Sequence, residues 1–220
     1  MMLSSGAMGE GISDWSRFER LTPFRVRDVL LVASHFDHYL LEESGYLAEI
    51  MQEEYSDLNL SQAPRIIHSP DARDALRLLR AREFDLVITM TRVGEMDVKA
   101  FGTEAKRVIE GLPVVMLSHN TRELATLSAG DGIDRIFVWT GDSRILLSIC
   151  KLLEDERNVE NDVRDGDVQV ILLIEDSRRF YSAYLPLLYT QLVNQTTRLM
   201  GEGGNLHEKL LRLRARAKIL

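Results

Sequence analysis

A single cysteine, Cys150, stands in 220 residues, which excludes a disulfide framework and a multi-thiolate zinc site. Its neighbours Ile149 and Leu152 put it on the apolar side of an expected helix, so a buried, inert thiol is predicted. Apolar runs extend over only a handful of residues, too few for a membrane span. The opening MMLSSGAMGEGISDWSRFER has neither the basic start nor the continuous apolar block of an export signal. Together with the lone thiol it points to the cytoplasm. There is no basic excess: 27 Lys and Arg oppose 34 Asp and Glu, a formal charge of −7, which disfavours general attraction to nucleic acid or anionic membrane. The five histidines, His35, His38, His68, His119 and His207, include no HExxH, and no GxSxG elbow, Walker loop or GxGxxG follows an expected strand. His35 and His38 flank Phe36-Asp37 at a helix start, where solvation or capping is the expected role.

What remains is ample material for a core: 45% hydrophobic and 28% charged residues, enough for one large domain or two ordinary ones. From residue 28 onward strand and helix signals alternate. Expected strands cover residues 29–32, 65–68, 86–89, 113–117 and 136–139, and the runs DVLLV and PVVML suit strands buried on both sides. Between them, Leu40, Leu47, Met51 and Tyr55 mark a first helical face, and Ala72, Ala75, Leu76 and Leu79 a second. Ser69-Pro70-Asp71 reads as N-cap, first-turn proline and dipole-facing acid of that second helix. A third helix is expected over 98–110. Asn120 with Glu123 forms a capping box for a fourth, ended by Gly130 and Gly132. Ile145, Leu146, Ile149, Leu152 and Leu153 line a fifth. Five such units predict an α/β fold, a doubly wound, flavodoxin-like parallel sheet.

Residues 155–167, DERNVENDVRDGD, are polar and acidic and read as a linker or a helix extension. VQVILLIEDS at 168–177 then restarts the pattern with a second first strand. An amphipathic stretch follows, carrying Phe180, Tyr184, Leu187, Leu188, Leu192 and Leu199, with Pro186 expected to kink or break it. Residues 206–216 read as another helix and Lys218-Ile219-Leu220 as the opening of another strand. The expected organisation is a tail at 1–24, a domain at 25–156, a linker at 157–167 and a truncated second strand-helix unit at 168–220.

The stretch FDLVITMTRVGEMD, residues 84–97, has a buried strand Leu86-Val87-Ile88, a loop at Gly94 and a helical lead-in at Glu95-Met96-Asp97. This layout resembles the third strand and following loop of bacterial response-regulator receiver domains. The resemblance implies an acid pair after the first strand, an acceptor aspartate ending the third, Ser or Thr ending the fourth and Lys ending the fifth, with Mg²⁺ held by the acids. At those positions the chain has Ala33-Ser34, Met90, Ser118 and Trp139, so only Ser118 matches. A thioether offers no anionic oxygen to phosphorus and is a poor ligand for a hard cation. Asp37, Glu95 and Asp97 are the nearest acids, with capping and solvation as their expected roles. Residues 25–156 are therefore read as a pseudo-receiver without cofactor, in which Trp139 fills the emptied site beside Met90 in a sulfur-aromatic contact, with an apolar ligand pocket there as the alternative.

In ILLIEDS, Glu175-Asp176 fall where a receiver's metal pair belongs, although Asp176 or Ser177 can equally cap the next helix. Mg²⁺ binding and phosphoryl acceptance there are expected only of an intact second domain. The segments FDLVITM, GIDRIFVW and FYSAYLPLLYTQL are similar to the N-terminal region of large bacterial phosphoenolpyruvate- or pyruvate-handling dikinase proteins. That similarity implies a regulatory, non-enzymatic part of a longer chain. The preferred function is a protein-interaction module that docks a partner or a second copy through receiver faces and the 178–216 helices. One alternative is a relay receiver using Glu175 and Asp176 in the full-length protein. A second alternative is nucleic-acid binding through Lys209, Arg212, Arg214, Arg216 and Lys218, disfavoured because no aromatics interleave them.

Overall fold

Each apolar run of the first 140 residues becomes a strand within one residue of its expected limits. A computed structural model describes residues 20–43, 63–119, 129–130, 132–199 and 214–220. Strands β1 (Asp28–Val32), β2 (Arg65–Ser69), β3 (Leu86–Met90), β4 (Val114–Ser118) and β5 (Arg135–Val138) form one sheet in the order β2-β1-β3-β4-β5. Every neighbouring pair is parallel. This is the flavodoxin-like order of the doubly wound α/β class.

Side chains alternate between the two faces of the strands, and both faces are buried. On one, Val29, Leu31, Ile88, Leu117 and Phe137 pack against α1 (His35–Glu43) and α4 (Arg144–Gly166) through Leu41, Ile145, Leu146, Ile149 and Leu152. On the other, Leu30, Val87, Val114, Met116 and Ile136 meet α2 (Ala72–Ala81) and α3 (Val98–Val108). Cys150 is buried and desolvation pushes its thiol far up, so it is kept as an uncharged core group. The capping box of Asn120 and Glu123, like Leu47, Met51 and Tyr55, lies outside the described residues.

Two local expectations change. The N-cap of α2 is Asp71, not Ser69: its carboxylate accepts from the Asp74 amide at 2.9 Å. Ser69 is the last residue of β2, still in register with Val32, and its hydroxyl donates to Asp71 O and Asp74 Oδ2 instead. At the start of α3, Asp97 accepts from the Lys99 and Ala100 amides, the capping role expected of it. Along α3, Gly102 allows the loop before β5 to touch the helix. A Cβ there would stand 2.5 Å from the Gly132 carbonyl oxygen, a backbone atom with nowhere to go. Gly102→Ala is therefore expected to lower the free energy of unfolding by about 1–3 kcal/mol, read from urea midpoints, because overpacking here displaces backbone rather than a side chain.

The polar stretch after residue 154 is helix: α4 continues unbroken to Gly166, 23 residues in all, and ends on Asp167 in the left-handed region at φ 52°. Its spacing explains why a segment so rich in charge stays ordered. Glu154, Asn158 and Asp162 recur every four residues and accept the backbone amides of Val26 (2.9 Å), Phe24 (2.9 Å) and Thr22 (2.8 Å). Four helical residues rise about 6 Å and two extended residues about 6.7 Å, so the two chains keep step, running antiparallel. The expected tail thus ends as an ordered strap across α4, with Leu21 and Val26 buried.

Beyond α4, β6 (Val170–Ile171) pairs in parallel with β7 (Lys218–Ile219), and α5 (Arg178–Leu199) lies between them in sequence. Helix α5 passes through Pro186 without ending. It packs on the first domain: Leu185 and Tyr189 join the α1/α4-side core, and the Val138 amide of edge strand β5 donates to Ser182 Oγ at 2.9 Å.

A buried ionic cluster fastens this C-terminal part. Arg216 makes two 2.9 Å hydrogen bonds to the Asp155 carboxylate, whose Oδ2 also accepts from Tyr189 Oη and the Ile219 amide, each at 3.0 Å. Lys218 Nζ lies 2.7 Å from Asp162 Oδ2 and 3.8 Å from Asp155 Oδ1. This takes Arg216 and Lys218 out of the nucleic-acid alternative, while Arg214, half-buried beside them, accepts from Lys218 Nζ on its carbonyl at 3.3 Å. Arg216 and Lys218 point into the protein as counterions of two buried carboxylates and offer no charge to a polyanion. Lys209 and Arg212 lie outside the described residues.

Candidate functional site at the carboxyl edge of the sheet

Parallel strands deliver their last residues to one edge, so the five receiver-equivalent positions are neighbours there despite spanning more than a hundred residues of sequence. Ala33 follows β1 fully buried; its amide donates to Ser69 O at 3.0 Å and its carbonyl accepts from His68 Nε2 at 2.7 Å. Ser34 is consumed by helix capping: its hydroxyl donates to Asp37 Oδ2 at 2.7 Å and accepts the Asp37 amide at 3.1 Å, while its carbonyl takes the His38 amide. Met90 ends β3 at 1% exposure, in the same apolar cluster as Ala33, Leu117 and Trp139. Ser118 ends β4, buried, and its carbonyl accepts the Trp139 backbone amide at 2.9 Å.

Trp139 is 7% exposed, and its indole N–H makes no hydrogen bond. The His119 ring stands edge-on to it at 4.7 Å. His119 Nε2 in turn lies 3.2 Å from Asp37 Oδ1. Among the described residues, Asp37 contacts these positions and is committed to Ser34 and His119. Glu95 is exposed and Asp97 caps α3. Among the described residues no three His, Cys, Asp or Glu side chains converge as cation ligands. A thioether and an indole offer no anionic oxygen to a hard cation or to phosphorus, and the Ser34 hydroxyl is engaged in capping.

Sequence reading missed the company these positions keep. Four of the five histidines gather at this edge: His38 stacks on His68 with centroids 3.9 Å apart, His35 meets His68 edge-on at 5.6 Å, and His119 closes the far side. Burial lowers the His38 pKa, the neighbouring His68 adds to that, and Glu42 opposes it. The signal was present in the strand ends, since His35 follows Ala33-Ser34 and His68 precedes the last residue of β2.

The second acid pair follows β6 and precedes α5. Glu175 Oε1 accepts the Ser177 amide at 2.9 Å, Asp176 is exposed, and Ser177 caps α5 by accepting the Phe180 amide on its hydroxyl and the Tyr181 amide on its carbonyl. The capping alternative for this motif therefore falls to Ser177.

No family model matches the chain, and no curated protein matches it. Solved structures do. The signal receiver domain of an HD domain-containing protein from Pseudomonas fluorescens Pf-5 is 21% identical over 63% of this chain and 94% of its own, with a TM-score of 0.44. A CheY-like response regulator receiver domain protein from Methanospirillum hungatei JF-1 is 18% identical over 61% and 98%, with a TM-score of 0.47. A response regulator receiver domain protein from Clostridium thermocellum is 15% identical over 61% and 99%, with a TM-score of 0.46. The strand order and parallel register of the chain itself carry the fold; these proteins are what it is similar to.

Proposed function

We propose that residues 25–156 are a pseudo-receiver, a receiver-like module that accepts no phosphoryl group and acts by protein contact. The observation that carries this reading is Met90, enclosed in the apolar core at the carboxyl end of β3, where a phosphorylatable domain needs an accessible carboxylate. Trp139 at the end of β5 supports it, because an indole in an apolar setting supplies no cation for a transferring phosphoryl. Contact with a partner needs neither a cation nor an acceptor oxygen, and the packing of α5 supports one place for it. The β5 edge and the adjoining side of α4 are already covered by α5, so a partner meets the outer stripe of α5: Phe180, Tyr184 and Leu187, each about half exposed.

Residues 168–220 are proposed as the opening of a second receiver-like unit within a larger regulatory protein. Parallel pairing of β6 with β7 across α5 supports this, being the β-α-β start of such a sheet. So does the outer side of the β6 segment, where Leu172 is 67% and Ile174 89% exposed, unusual for so apolar a strand sequence. Incubation with acetyl phosphate and Mg²⁺, followed by intact mass, tests both units. No adduct is expected on this chain; a stoichiometric gain of about 80 Da, the mass of one phosphoryl group, overturns the proposal. Mapping that adduct to residues 168–220 would favour the relay alternative.

A further inference from the structure

At the amino-terminal edge of the sheet, the end remote from Met90 and Trp139, a cleft of about 280 Å³ opens between α4 and the first residues of β4 and β5. Its walls are core side chains: Leu112, Val115, Phe137, Ile149 and Leu152, none more than 5% exposed. Gly111 and Pro113 keep the mouth open, since neither carries a side chain long enough to fill it. Such walls offer water no hydrogen bonds, so solvent held there is easily displaced.

The rim is polar but balanced. Lys106 pairs with Asp134, and Arg135 with Glu156. Asp134 is further fixed by accepting the Val114 amide at 2.8 Å. Burial raises the Glu156 pKa and Arg135 opposes that rise. A ligand bearing net charge would have to break one of these pairs and strand its partner, whereas a neutral molecule leaves both intact. Size narrows the class. An apolar protein cavity of about 150 Å³ admits benzene, so nearly twice that volume suits a fused two-ring molecule.

We propose that this cleft is a binding site for a small neutral aromatic molecule of about the size of indole, its ring against Phe137 and its polar edge at the Lys106–Asp134 and Arg135–Glu156 rim. The site is independent of the receiver-like edge, and its fate does not depend on the function proposed above.

The test is titration of the full chain with indole, followed by amide chemical shifts and by the thermal midpoint. Saturable shifts confined to residues 111–115, 134–137 and 149–156, with a dissociation constant below a millimolar and a midpoint that rises with indole, are expected. Leu153→Trp, which places a ring in the cleft from its α4 wall, should weaken binding at least tenfold while keeping or raising the indole-free midpoint. Val115→Phe serves the same purpose from β4 if that variant does not fold. Shifts that stay linear to several millimolar, shifts centred elsewhere, or undiminished binding in a folded filled variant overturn the proposal.

Discussion

Replacing Asp155 by alanine is expected to lower the free energy of unfolding by about 3–5 kcal/mol, the largest loss expected from a single ionic group among the described residues. Four donors converge on that carboxylate: two nitrogens of Arg216, the Tyr189 hydroxyl and the Ile219 amide. Burial works against the Arg216 charge, yet the Asp155 carboxylate outweighs it and holds the guanidinium protonated. With alanine at 155 that cation stays buried without its hydrogen-bonded carboxylate, and Tyr189, whose pKa burial and Asp155 push well up, loses its acceptor. The loss then comes from stranding a charge, not from forfeiting an attraction. Asp155→Ala combined with Arg216→Met should accordingly recover a large part of it, since a paired removal leaves nothing unpaired. Urea denaturation of the four species closes the cycle. Hydrogen exchange at residues 218–220 should speed up in the single variant, because β7 is anchored by the same carboxylate. A loss below about 1 kcal/mol, as found for exposed ion pairs, would show that the cluster is hydrated and the C-terminal unit only loosely attached.

The same cluster shows what a sequence conceals. Strand positions and the doubly wound parallel class were legible because apolar runs and their spacing depend on local chemistry. The limits of β1 to β5 fall within one residue of the pattern. The meeting of Ala33, Ser34, Met90, Ser118 and Trp139 at one edge was legible for a related reason: a parallel sheet puts every strand's last residue on one edge, so position in sequence fixes position in space. What the pattern could not show were pairings between polar residues far apart in the chain. Asp162 and Lys218 read as solvated charge in an acidic stretch and a basic tail, yet they stand 2.7 Å apart in the interior. Glu154, Asn158 and Asp162 carry a period of four that was open to inspection, but nothing local says that residues 22–26 will lie against it. The histidine gathering at the carboxyl edge was hidden in the same way, since each imidazole alone reads as a surface residue. Cooperative polar contacts of this kind are decided by tertiary packing, where composition and periodicity carry no information.

Met90→Asp puts a carboxylate at the end of β3, where the proposed receiver reading would need an acceptor, and the expected result is a destabilised protein that takes no phosphoryl group. The side chain enters an apolar cluster at 1% exposure, with no Lys, Arg or backbone donor shown aimed at it. A carboxyl so buried has its pKa raised by up to about 3–5 units, which corresponds to about 4–7 kcal/mol between its two protonation states. The sign follows from proton binding. Between the unfolded value near 4 and the raised folded value, the native state holds the proton and the unfolded state does not, so stability falls as pH rises through that window. The variant should therefore lie nearest the parent at about pH 4 and furthest from it above neutrality. Met90→Leu, which keeps volume and polarity, should cost under about 1.5 kcal/mol at every pH. Chemistry is not restored because the missing parts are distributed over the edge: Ser34 is spent on capping α1, and Trp139 stands where a cation is needed. Thermal midpoints of both variants across pH 4–8, with intact mass after acetyl phosphate and Mg²⁺, test the argument at two independent points. A pH-independent loss in Met90→Asp would mean that the side chain reaches water, and a phosphorylated variant would mean that this edge retains a cation site after all.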